Sequence, residues 1–86
     1  MRKYYELATK SKHLVSFEES EKEVTDIRRF NGVNWVPDLD VENSVQMAKK
    51  YNIMSSLGKE LNEEELSKAV ANKIAKLIDG DTKEFE

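Results

Sequence analysis

Apolar positions alternate with polar ones at two places in the first half of the chain and recur every three or four residues in the second half. That change of period predicts strands followed by helices. Tyr5 and Leu7 alternate with charged or small neighbours, the polar run Thr9-Lys10-Ser11-Lys12 interrupts, and alternation resumes at His13, Val15 and Phe17. A first β-hairpin is expected there. Asn31-Gly32 lies between Ile27-Arg28-Arg29-Phe30 and Val33-Asn34-Trp35-Val36. Asn-Gly supplies the two positive φ angles of a type I′ turn, so a second hairpin with a two-residue loop is expected. This register sets Phe30 opposite Val33, Arg29 opposite Asn34, Arg28 opposite Trp35 and Ile27 opposite Val36. Arg28 would then lie over the Trp35 indole.

Pro37 cannot donate to a ladder and should end the strand. Asp38, Asp40 and Glu42 then bring acid to a helix start, with Asp40 as the expected cap. Val41, Val45 and Ala48 recur at helical spacing, and Lys49-Lys50 suit a last turn, predicting a helix over 41–51. Residues 53–58 form a connection whose apolar members should seal one end of the core, with Gly58 permitting a turn. Leu61, Asn62, Glu65 and Leu66 fall at N′, N-cap, N3 and N4, where a capping box and a hydrophobic staple coincide. The helix they begin should run over 62–79, its stripe of Leu66, Ala69, Val70, Ile74, Leu77 and Ile78 broken only by Lys73. Gly80 suits the left-handed position after a helix, and the polar tail at 80–86, with Phe85 its one apolar residue, should fray. The fold class is therefore α+β. A small antiparallel sheet of about four strands, in two hairpins over 1–36, precedes two helices within 40–79 packed on one face, all in a single domain over 1–86.

Composition narrows the function classes. The 86 residues hold no cysteine, which excludes disulfides, thiolate nucleophiles, iron–sulfur ligation and cysteine zinc sites and suits a cytoplasmic protein. No apolar run approaches the roughly 20 residues of a membrane helix, and the N-terminal residues lack the apolar stretch of a signal peptide. No membrane partner is expected. A core this small leaves room for stabilisation by a partner, as a monomer bound to another protein or as a homodimer.

Candidate chemistry is sparse. His13 is the single histidine, so no histidine pair or multi-histidine metal site exists within one chain. Ser11 and Ser16 lack a glycine-flanked nucleophile turn. Asp38-x-Asp40-x-Glu42 begins like a calcium loop, but Asn43 stands where the pattern needs glycine and Lys49 where it needs glutamate. Glu63, Glu64 and Glu65 point about 100° apart on a helix and do not converge. Gly32, Gly58 and Gly80 form no phosphate loop. No cofactor, no metal and no catalytic residue are expected.

Charge is small overall, net −3, but uneven. Residues 1–17 carry Arg2, Lys3, Lys10 and Lys12 against Glu6, whereas residues 18–26 carry Glu18, Glu19, Glu21, Glu23 and Asp26 against Lys22. In size, charge and lack of cysteine the chain is similar to the short accessory proteins of bacteriophages and other mobile elements. The leading expectation is a non-enzymatic protein-binding module that inhibits or regulates a larger host or defence protein, in the manner of anti-CRISPR proteins. It would use the acidic face of Glu18, Glu19, Glu21, Glu23 and Asp26. The first alternative is a nucleic-acid-binding transcriptional regulator using Arg2, Lys3, Arg28, Arg29 and Trp35, against which the acidic balance argues. The second is a structural or assembly component that docks through its last helix.

Overall fold

The computed structural model describes residues 1–9 and 12–79. In chain order it contains β1 (Arg2–Leu7), β2 (Leu14–Glu19), β3 (Val24–Phe30), β4 (Trp35–Pro37), α1 (Leu39–Lys50), the single turn α2 (Met54–Leu57), β5 (Gly58–Glu60) and α3 (Glu63–Ile78). The strands form one antiparallel sheet in the order β4-β3-β2-β1-β5.

Both hairpins are present. β1 pairs with β2 so that Tyr5 faces Val15 and Lys3 faces Phe17. The second hairpin differs from the Asn-Gly expectation in its register. Phe30 pairs with Trp35, Arg29 with Val36 and Arg28 with Pro37. Asn31 has no positive φ, whereas Gly32 has φ 96°, so the two positive angles of a type I′ turn are not supplied. The Asn31 side chain instead accepts hydrogen bonds from the Val33 and Asn34 amides at 2.9 and 2.7 Å, while the Asn31 amide donates to the Asn34 carbonyl. Local bonding by an Asn side chain competes with the tight turn and opens a four-residue loop. A two-residue shift preserves the face of every side chain, so Phe30, Arg28 and Trp35 still share one. Arg28 does not cover the indole; its Nε donates to Asp26 at 2.9 Å.

β3 carries a bulge opposite Phe17, where the register shifts between Ser16 and Glu18. Asp26 sits there at φ 51°, a left-handed angle that Asp tolerates better than most residues. α1 begins earlier than expected. Asp38, not Asp40, is its N-cap, accepting from the Val41 amide at 3.0 Å. Asn62 and Glu65 form the expected capping box at α3, bonding each other's backbone amides at 2.8 and 3.1 Å.

Two features refine the architecture within the α+β class. The connection after α1 yields a fifth strand, because Gly58–Glu60 pairs with the outer edge of β1. The helices also lie on opposite faces. Side chains alternate across a strand, so the register places Lys3, Tyr5, Leu7, Val15, Phe17, Glu19, Val24, Ile27 and Arg29 on one face. Val41 and Val45 of α1 join that face in the main core, with Met54 and Leu57 packed against it. The second face carries Arg2, Tyr4, Glu6, Leu14, Ser16, Glu18, Arg28, Phe30 and Trp35. Leu61 donates to the Tyr4 carbonyl, and α3 then crosses this face, with Leu66 beside Tyr4 and Ala69 and Lys73 beside Glu6. Leu14–Phe17 is buried at four consecutive positions, the mark of a strand covered on both sides. The tail at 80–86, with Gly80 and Phe85, lies outside the described residues, as do Lys10 and Ser11.

Candidate functional site

The acidic segment is divided by the fold. Glu19 ends β2 on the α1 face, where its carboxylate accepts from Lys3 and Lys49, each at 3.0 Å. Lys49 also donates to the Ser20 carbonyl at 2.9 Å. The Glu19 side chain is only 13% exposed. Burial alone would push this carboxyl up, but the hydrogen bonds from Lys49 and Lys3 outweigh it and hold the group below the usual carboxylate range. Glu19 raises Lys3 in return.

Glu18 and Asp26 lie on the opposite face. Glu18 pairs with Arg2 and with the terminal amino group of Met1. The bulge brings Asp26 between Arg2 and Arg28, whose hydrogen bonds lower its carboxyl. Arg2 additionally donates to Ser16 Oγ at 3.1 Å and to the Asp26 carbonyl at 2.9 Å. Glu21 and Glu23 differ from these three. Both are exposed in the connection between β2 and β3, and neither has an ion pair among the described residues. Their backbone is nonetheless fixed, since the Ser20 amide donates to the Glu23 carbonyl at 2.9 Å and the Glu23 amide to Ser20 Oγ at 3.2 Å.

The basic and aromatic residues are also separated. Arg2, Arg28 and Trp35 share the second face, where the Trp35 ring meets Tyr4 edge-on at 5.6 Å and Phe30 at 5.1 Å. Ser16 lies between Tyr4 and Arg28 in the register, and its small side chain lets Tyr4 and Trp35 close over the sheet. Lys3 and Arg29 face α1 instead. Arg29 Nε donates to Asp38 Oδ2 at 2.8 Å. The Val41 amide and then Arg29 lower the Asp38 carboxyl. All four cations of this group therefore have a carboxylate partner.

Lys49, Ser16 and Tyr4 complete these clusters and were not signalled by the sequence, because each acts across a strand or from a helix distant in the chain. Among the described residues, no group of three or more His, Cys, Asp or Glu side chains is placed to hold a metal ion, and no helix is long and apolar enough to cross a membrane. What the arrangement offers chemically is a hydrogen-bonded turn with two exposed carboxylates beside a sheet whose charges are paired. No protein-family model matches the chain, and comparisons with curated proteins and with solved structures return no match.

Proposed function

We propose that this chain is a non-enzymatic protein-binding module of the cytoplasm, an accessory protein of a phage or mobile element. It inhibits or regulates a larger protein by presenting the carboxylates of Glu21 and Glu23 to a basic surface. The observation that carries the reading is the division among the five acids. Glu18, Glu19 and Asp26 each have a cation within the chain, whereas the turn that holds Glu21 and Glu23 is closed by hydrogen bonds between Ser20 and Glu23 and leaves both acids exposed. A turn backbone already hydrogen-bonded before contact reduces the ordering cost of association, and exposed carboxylates speed encounter with a basic partner. The nucleic-acid reading has less support, since Arg2, Lys3, Arg28 and Arg29 already face carboxylates and present little net positive field to phosphates.

Affinity capture from a lysate of the source cells, read by mass spectrometry, tests the proposal. The wild-type chain should retain a protein with a basic surface, and Glu21→Lys with Glu23→Lys should lose it while circular dichroism is unchanged. Undiminished capture by the double variant would overturn the reading.

A further inference from the structure

The loop between β3 and β4 holds an asparagine whose side-chain amide is arranged for attack by its own chain. Asn31 Oδ1 accepts from the Val33 and Asn34 amides at 2.9 and 2.7 Å. Bonds to the second and third residues ahead fold the side chain forward over the Asn31–Gly32 peptide, which brings Cγ beside the Gly32 nitrogen. That nitrogen is not tied up. Gly32 is buried, yet its amide donates no hydrogen bond among the described residues. Gly32 also has no Cβ to crowd the approach, and its φ of 96° is one that other residues adopt only under strain. The two amides on Oδ1 lie within the roughly 2.7–3.1 Å at which fixed donors stabilise an oxygen as negative charge develops on it.

We propose that Asn31 is a self-modification site, at which the folded loop promotes loss of ammonia through a succinimide and the isoaspartyl product loosens β4. The Gly32 nitrogen bonds to Asn31 Cγ as its proton passes to water, and the negative oxygen of the intermediate stays on the Val33 and Asn34 amides. The bond from Cγ to Nδ2 then breaks, and Nδ2 takes up a proton and departs as ammonia. Water opens the ring at either carbonyl, giving aspartate or isoaspartate; no electrons are exchanged with an outside reagent. In isoaspartate the main chain runs through Cβ and Cγ and is one carbon longer. The bond from the Asn31 amide to the Asn34 carbonyl and the adjoining Phe30–Trp35 pair then lose their spacing. β4 is a short edge strand held in the sheet by β3 alone, so it is the element released. The other asparagines are placed differently. Asn43 and Asn72 lie inside helices, and Asn34, Asn52 and Asn62 precede Trp35, Ile53 and Glu63, whose side chains shield the amide. Asn62 also bonds forward, to the Glu65 amide at 2.8 Å, and so serves as an internal control that has the cap but not the glycine. This inference is independent of the partner-binding turn.

Incubation of the full chain at mildly alkaline pH, followed by peptide mapping in a mass spectrometer, tests the site. The expected result is an amide-to-acid mass gain at Asn31, several-fold faster in the folded chain than in the same chain unfolded in guanidinium chloride, with Asn62 unchanged over the same period. Gly32→Ala should slow the gain several-fold. The comparison of folded with unfolded chain needs no variant and carries the test if Gly32→Ala does not fold. The separated isoaspartyl product should exchange its β4 amides faster than Asn31→Asp, which carries the same charge on a normal backbone. An Asn31 that stays intact, one that reacts no faster folded than unfolded, a faster gain at any other asparagine, or β4 exchange equal in the isoaspartyl product and Asn31→Asp would overturn the inference.

Discussion

Glu19 and Glu21 stand two positions apart and do opposite work. Glu19 joins β1, β2 and α1 through Lys3 and Lys49, while Glu21 touches none of them. Replacing Glu19 with Gln should therefore cost on the order of 2 kcal/mol, the scale of hydrogen bonds to a charged group. In a domain this small the melting temperature would fall by roughly 10 °C. Glu21→Gln and Glu23→Gln should each stay within about 0.5 kcal/mol of wild type, as exposed substitutions generally do. Thermal denaturation of the three variants checks the contrast. A pH dependence follows from the same contacts. The carboxyls of Glu19, Asp26, Asp38 and Glu65 all bind their protons less readily in the folded chain than in the unfolded one. Their contribution is fully present above the unfolded carboxyl range, near 4, and is lost as pH falls through the lower folded values. Melting temperature should accordingly drop as pH is taken below about 4, and the drop should be smaller in Glu19→Gln. The acid partners were not legible in the sequence, because Lys49 and Glu19 are thirty residues apart. A run of acids reads as a uniform face until the sheet register sends alternate members to opposite sides.

Among the elements, β5 depends on one steric fact. A Cβ at Gly58 would stand 2.1 Å from the Glu6 carbonyl oxygen and 2.9 Å from the Ala8 amide nitrogen, so the strand approaches β1 more closely than any side chain allows. Gly58→Ala should destabilise the chain by about 2 kcal/mol, within the range seen for forced overpacking. It should also raise amide exchange at the Leu61 and Ala8 positions, which bond to the Tyr4 and Leu57 carbonyls. Exchange unchanged at both would contradict the steric account. At α3, Asn62→Ala should cost about 1 kcal/mol by urea denaturation, the usual value of a lost cap. These two elements mark the limits of what the sequence discloses. The α3 cap is written in four neighbouring residues and was legible to the residue. Gly58-Lys59-Glu60 has no strand signature at all, and only its pairing with β1 makes it one. The second hairpin lies between these cases. Asn31-Gly32 correctly announces a reversal, but the bonds from the Asn31 side chain decide the loop length and so the register.

For the whole molecule, the two-sided sheet changes the meaning of several features. α1 covers the face of Phe17 and Ile27, and α3 crosses the face of Tyr4 and Glu6. The expectation of two helices on one face missed that Leu14–Phe17 is buried at every position, a pattern that was present in the residues but easily read as simple alternation. α3 leaves both Ile78, 79% exposed, and Ile74 exposed to solvent, so its stripe is wider than the surface it covers. The sheet faces themselves are close to neutral, since acid and base meet in pairs on both. Among the described residues, the acids of this segment that are exposed and have no ion pair are those of the turn at Ser20–Glu23. Backbone amide exchange of the chain, alone and with its captured partner, measures this most directly. The account predicts added protection centred on residues 20–23 with little change along α3; protection confined to the exposed flank of α3 at Ile74 and Ile78, with none at the turn, would contradict it.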